Sequence, residues 1–279
     1  MLAAVLVVLA TSPAAALPTL AITPGPSSTD QPALWVLSDA DTTIYLFGTF
    51  HALDECTDWF ARNVRAAFDS SDELVLETIV PSDPGELFAM LRRHSLAAPM
   101  IAGAPIVGGP VLGNNRGSFA ASAGQAMAAS RSVGMTVERG ADAVLRRIAN
   151  TQGKPVGGLE SFDFQLAMLA GLPSTIPAQR SAARAPPPDT KRLLLDMRSA
   201  WKRGDGSSFA TVLGTLESQS PTTYQRMFVD RNSHWARWIA ERMERPGTVF
   251  VAVGTGHLIG RDSVQQKLAS HGFTATRIN

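Results

Sequence analysis

The segments TIYLFGTFH (residues 43–51) and TVFVAVGTGH (residues 248–257) are built alike: an apolar run, a glycine, two residues, then a histidine. The β-branched and aromatic residues at 43–47 and 248–253 predict strands. Glycine lets the backbone turn sharply as each strand ends. Working outward, ALWVL at 33–37 joins 43–47 through Ser-Asp-Ala-Asp, a hairpin signal. ELVL at 73–76 predicts another strand, which runs into Glu77, and residues 274–278 a last one. Apolar residues at helical spacing predict helices over 57–68, with Thr57 as N-cap, and over 84–94, 141–149 and 164–170. The same pattern recurs at 190–201, 208–216, 223–242 and 264–270. Residues 181–189 (SAARAPPPD) read as a linker, because three prolines cannot continue a helix. Residues 98–135, rich in Gly, Ala and Pro, show no assignable pattern. The expected fold is α/β: a central mixed sheet built from N- and C-terminal strands, flanked by helices, with a helical insertion at about 83–245.

Composition narrows the chemistry. The 279 residues are 45% hydrophobic and 18% charged, an ordinary globular balance. A net charge of +1 argues against nucleic acid as a partner, since phosphate binding needs a basic excess. The single cysteine, Cys56, excludes an internal disulfide, a Cys-rich zinc site and an iron–sulfur cluster; it reads as a small buried apolar residue. Any metal must then be held by Asp, Glu and a choice of five His. Residues 2–10 (LAAVLVVLA) are apolar but too short to span a bilayer. With Ala14 and Ala16 in an A-x-A pattern they read as a signal peptide, residues 1–16, cut after Ala16. Residues 17–31 read as a flexible leader and 32–279 as one domain. No later run is long enough for a transmembrane span, and the expected location is periplasmic or secreted.

Chemistry-bearing residues gather where strands end. In open α/β sheets ligands bind beyond the carboxyl ends of the strands. If the strands at 43–47, 73–76 and 248–253 are parallel neighbours, His51, Glu77 and His257 converge there. Two imidazoles and a carboxylate suit a divalent metal with open positions for water. The bland alternative is that each His is structural and Glu77 an exposed strand end. Arg231 falls on the apolar stripe of the helix at 223–242. It either snorkels to the rim or points, beside Asn232, into a polar pocket. Glu160 and Ser161 follow a glycine turn at 157–158. Ser161 is a helix-cap signal, and Glu160, with Gln165 beyond, reads either as part of that cap or as a second patch of the site.

Taken in order, these residues resemble the TraB/PrgY/GumN family, which includes the Tiki metalloproteases. The likeness is carried by ALW and IYLFGTFH, the strand before Glu77, Gly140-Ala141-Asp142, and GKPVGGLE at 153–160 with Gln165. WKRGD at 201–205, RNSHW at 231–235 and VGTGHLIG at 253–260 continue it. It covers residues 31–279. The resemblance implies a fold similar to the erythromycin-esterase and ChaN-like proteins, with the family's paired GxxH motifs and Glu on His51, His257 and Glu77. It implies a divalent metal, manganese or cobalt, with zinc as a further choice, and peptide-bond hydrolysis as in the Tiki branch. Two features depart from the family pattern: the Gly/Ala-rich stretch at 98–135, and Arg261-Asp262-Ser263 after Gly260.

The expected function is a secreted or periplasmic metal-dependent hydrolase acting on a peptide or protein. His51, Glu77 and His257 would bind metal. Arg231 and Asn232 would stabilise charge or hold a substrate carboxylate, and Glu160 would move a proton or support a His. Two alternatives stand beside it: a non-enzymatic envelope protein binding a peptide or glycan, and a metal-free esterase using a His base.

Overall fold

The structure, a computed structural model, describes residues 31–94, 96, 119–172 and 190–279. The expected signal peptide, the 181–189 linker and most of the Gly/Ala-rich stretch lie outside these residues. Strand β1 (Leu34–Ser38) pairs antiparallel with β2 (Thr42–Thr49), as the hairpin signal predicts. The Asp39 carboxylate closes their turn by accepting from the N–H groups of Asp41 and Thr42. Strands β3 (Glu73–Leu76), β4 (Val156–Gly158), β5 (Gly247–Gly254) and β6 (Thr276–Arg277) complete one sheet of order β4-β3-β5-β2-β1-β6. β4, β3, β5 and β2 run parallel, while β1 is antiparallel to β2 and to β6. The sheet is mixed α/β, as expected. Val156–Gly158, expected to end in a glycine turn inside the helical insertion, instead forms an edge strand against β3.

β5 lies between β2 and β3 and is apolar on both faces, which is why its sequence reads as an unbroken hydrophobic run. The period of two divides the core. Phe47, Leu74, Leu76, Phe250 and Ala252 join one apolar layer; Ile44, Leu46, Val75, Val249, Val251 and Val253 join the other. In the first layer Phe47 stacks on Trp59 at 5.6 Å between ring centroids, and Trp201 closes on both.

Helices cover both faces: α1 (Arg62–Ser70), α2 (Pro84–Arg93), α3 (Phe119–Ser132), α4 (Ala141–Gln152), α5 (Phe162–Ala170), α6 (Thr190–Lys202) and α7 (Ser207–Gln219). The expected helix at 223–242 is α8 (Pro221–Tyr224), a π turn (Gln225–Val229) and α9 (Asp230–Arg242); α10 (Val264–Ala269) follows β5. Local signals explain several ends. Asp83 caps α2, Ser161 caps α5 as its sequence suggests, and Gly153, with φ of 68°, ends α4 in the left-handed conformation. Two expectations fail at one place. Thr57 caps no helix: its hydroxyl is taken by Asp54, and the helix starts at Arg62, after Trp59 has turned into the core. Cys56 is exposed, because its N–H is held by Asp54 in that same surface turn.

Candidate active site

The parallel order β2-β5-β3 places the ends of three strands side by side. His51 follows β2, Glu77 follows β3, and His257 stands on the short 3-10 turn Thr255–Leu258 after β5. The two GxxH turns are tied together: Thr255 Oγ1 donates to the carbonyl of Thr49 at 2.9 Å. Trp201 Nε1 donates to the Gly48 carbonyl at 2.7 Å, fixing the first turn from α6. Gly254 is required by close approach. A Cβ there would lie 2.7 Å from His51 Nε2 and 3.0 Å from Glu77 Oε1.

Both imidazoles are oriented through Nδ1. His51 Nδ1 is 2.7 Å from Asp142 Oδ2, and Asp142 Oδ1 accepts from Thr49 Oγ1 at 2.7 Å. An ionised carboxylate only accepts, so His51 carries its proton on Nδ1 and leaves a lone pair on Nε2. That Nε2 is buried and has no hydrogen-bond partner. His257 Nδ1 is 2.5 Å from Asn232 Oδ1, while Asn232 Nδ2 donates to the Asp262 carbonyl at 2.7 Å. Asn232 therefore offers His257 an acceptor, and the His257 lone pair is also on Nε2.

Arg231 does not snorkel: it is 2% exposed and sits among these groups. Its Nη2 donates to Glu77 Oε2 at 2.9 Å and to Glu160 Oε1 at 2.5 Å, and Nε donates to Glu160 Oε2 at 3.0 Å. Nη1 donates to His257 Nε2 at 3.1 Å and to the Met227 carbonyl in the π turn at 3.2 Å. The guanidinium also lies 4.5 Å from the centre of the Trp235 ring. Gln165 completes the cluster, 3.3 Å from Glu160. Glu160 thus meets Arg231 and Gln165 rather than an imidazole.

The electrostatics follow from burial opposed by pairing. Burial raises the pKa of Glu77, but Arg231, His257, His51 and the Gly254 N–H (2.6 Å to Oε1) overcome it and hold the carboxyl far below its usual range. Asp142 is likewise lowered, its burial outweighed by His51 and the Thr49 hydroxyl. Burial pushes Glu160 up against the pull of Arg231. Burial drives His257 well down, with Arg231 and His51 adding to it and Glu77 opposing.

Among the described residues no group of three His, Cys, Asp or Glu side chains is arranged to hold a metal ion as it stands. The physical reason is Arg231, whose N–H groups engage both His257 Nε2 and Glu77. The donor set nevertheless fits a divalent cation in tautomer and in charge. Both His present Nε2 with Nδ1 held from behind. With the carboxylates of Glu77 and Asp142 held ionised and Arg231 the cation among them, at least one negative charge remains uncompensated in the cluster.

A pocket of about 690 Å³ adjoins the cluster. His51, Glu77, Asp142 and Gln165 are on its wall, whereas Arg231, Asn232, His257 and Glu160 stand behind. In the sequence Asp142 stands only within the Gly140-Ala141-Asp142 motif, and no local pattern marks it as a partner of His51. The usable signal is Gly140: a Cβ there would collide with the His51 carbonyl, so this glycine brings the start of α4 against His51.

The model of the TraB/PrgY/gumN family matches residues 33–104 and 108–277. Two curated relatives, both called uncharacterized protein YbaP, come from Escherichia coli (strain K12) and Shigella flexneri. Each is 32% identical over 139 residues, covering 50% of this chain and 51% of the relative. The chain thus spans about half the length of the curated relatives it matches. No solved structure matches.

Proposed function

Because the chain belongs to the TraB/PrgY/gumN family, we propose that it is a secreted or periplasmic hydrolase that cleaves peptides with the help of a divalent cation held by His51, Glu77 and His257. The observation that carries this reading is the buried, partnerless Nε2 of His51, backed by Asp142 and facing the same Gly254 position as Glu77. Manganese or cobalt is the proposed metal. A bound divalent cation supplies Lewis acidity, polarising a carbonyl and acidifying water.

The chain's own residues do the rest. Asp142 and Asn232 fix the tautomers that leave both Nε2 atoms basic. Burial keeps His257 neutral, and Arg231 with the Gly254 N–H keeps Glu77 anionic. Arg231 is a positioning residue, since it stands behind the pocket wall and bridges Glu77 to Glu160. The pocket walls hold an extended substrate against this end of the sheet.

The test is cleavage of a peptide library by the purified mature chain with manganese, cobalt and zinc supplied separately. Turnover should require one of these ions, vanish in chelator and vanish in His257→Ala. Chelator-resistant ester or peptide turnover that still needs His51 would replace this reading with a metal-free one, His51 acting as general base with Asp142 behind it. No bound ion, no turnover and an unchanged His51→Ala variant would leave a non-enzymatic binding protein.

A further inference from the structure

Arg231 meets the proposed ligands unequally. One edge of its guanidinium, Nε and Nη2, is gripped by both oxygens of Glu160 at 3.0 and 2.5 Å. The plane rests against the Trp235 ring. Nη1 divides its N–H groups between the Met227 carbonyl at 3.2 Å and His257 Nε2 at 3.1 Å. Glu77 is divided too. Its Oε2 accepts from Arg231 Nη2, while Oε1 accepts from the Gly254 N–H and lies 3.7 Å from His257 Nε2. His51 Nε2 has no partner. Of the three ligand atoms that face one another, His51 Nε2, Glu77 Oε1 and His257 Nε2, Arg231 therefore holds the last. Asn232 accepts from His257 Nδ1, so Nε2 carries the single lone pair of that ring. The Arg231 N–H takes this lone pair, and a cation bound to His257 would take the same one, at about 2 Å from the nitrogen. One lone pair serves one of them at a time.

From this shared claim we infer that Arg231 is a built-in competitor for the cation site: a divalent cation binds His257 Nε2 as Arg231 Nη1 withdraws from it, and Glu160 is the anchor that keeps the guanidinium in place through the exchange. The inference rests on the metal reading proposed above. The exchange is local. Withdrawal of Nη1 leaves the paired bonds to Glu160 and the Trp235 face intact, so the buried guanidinium is not stripped of its counter-charge. Glu77 can turn Oε1 to the cation while Oε2 stays on Arg231, which is the division its two oxygens already show. No covalent bond changes and no proton moves; an N–H···N bond gives way to a coordinate bond on the same nitrogen. The apparent affinity of the site is then its intrinsic affinity reduced by the fraction of molecules in which His257 is free of Arg231. Arg231 thereby sets the cation concentration at which the site fills, and Glu160, which touches neither imidazole, acts on that concentration through Arg231.

The test is a cobalt(II) titration of the full mature chain at neutral pH, followed by visible absorption and by equilibrium dialysis. In Arg231→Gln/Glu160→Gln the competitor and its anchor leave together, so the formal net charge is kept while the claim on His257 is removed. This variant should bind cobalt at least about tenfold tighter than the wild type, the scale of one hydrogen bond from a charged donor. A thermal melt checks that it folds. If it does not, Arg231→Lys, which keeps the charge but lacks the planar fork, decides by the same criterion. Adding His51→Ala to either chain should abolish the cobalt absorption, which places the ion at this site. Cobalt bound by the wild type and no more tightly by the variant overturns the inference and leaves the metal reading standing. Tightening that survives His51→Ala overturns it as well, since the ion then sits elsewhere. Cobalt bound by neither chain sinks the inference and the metal reading together. Tightening without cleavage of any peptide would keep the competition and remove the hydrolase reading.

Discussion

At the scale of single residues, the site depends on contacts that tolerate no added atom and no lost acceptor. Asp142→Asn preserves shape but leaves one acceptor oxygen for two donors, His51 Nδ1 and Thr49 Oγ1, and removes the negative charge behind His51. Turnover should fall at least about 10–100-fold, as when support behind a metal-ligating His is lost, while the melting temperature changes little. An unchanged rate would remove Asp142 from the mechanism. Gly254→Ala puts a methyl group 2.7 Å from His51 Nε2 and should cost about 1–3 kcal/mol of stability along with activity. Arg231→Met leaves Glu77 and Glu160 buried without their cation and should destabilise by about 3–5 kcal/mol in denaturant titration. Stability equal to wild type would mean that the three-residue ion pair does not form. Arg231 was legible in the sequence as a charge on an apolar stripe. Its partners were not, because Glu77 and Glu160 lie 154 and 71 residues away.

Among the elements, the helix that runs from Pro221 to Arg242 is the one in which local pattern and function meet. Its buried residues recur every fourth position: Tyr224, Phe228, Asn232 and Ala236, with Thr223, Met227, Arg231, Trp235 and Ile239 beside them. A spacing of four drifts by about 40° per step in an α-helix of 3.6 residues per turn. The π turn Gln225–Val229 takes up the extra residue and absorbs that drift. Its freed geometry also lets the Met227 carbonyl receive Arg231. Deleting the exposed Arg226 should restore an α-helical repeat and turn the Tyr224 side by about 100° relative to Arg231. The variant should keep its helical circular dichroism and lose turnover; full activity would show that the π turn is incidental. Sequence periodicity placed this helix and its stripe correctly, but a single-residue insertion is invisible to a count of apolar positions. The misplaced start of α1 has a similar cause. Thr57 carries the right side chain for a cap, and a competing acceptor three residues away, Asp54, takes it.

For the whole molecule, the buried charges at the sheet end set how stability follows pH. His257 has a lowered pKa in the folded chain, so as pH falls below about 6.5 the unfolded chain takes up a proton that the folded chain refuses. Its contribution is complete above that pH and is lost below it. Glu77 and Asp142 are lowered as well; their contributions are present above about pH 4 and fade as pH drops further. Melting temperature in chelator should therefore decline in two stages from pH 7 to pH 3. His257→Gln should flatten the first stage, and a level wild-type profile between pH 7 and pH 5 would contradict the burial of a neutral His257. What the sequence determined by itself was local: strand runs of period two, helices of period 3.6, glycines where strands end, and two GxxH turns with a carboxylate strand end. Those features specified an α/β fold and nominated His51, Glu77 and His257, because backbone propensity and side-chain alternation act over a few residues. Only the tertiary structure decided the strand order β3-β5-β2 that brings the three together, and that Asp142, Asn232, Glu160 and Arg231 surround them. Strand neighbours and buried ion pairs are chosen by packing and charge compensation between segments far apart in the chain, and no local pattern records that choice.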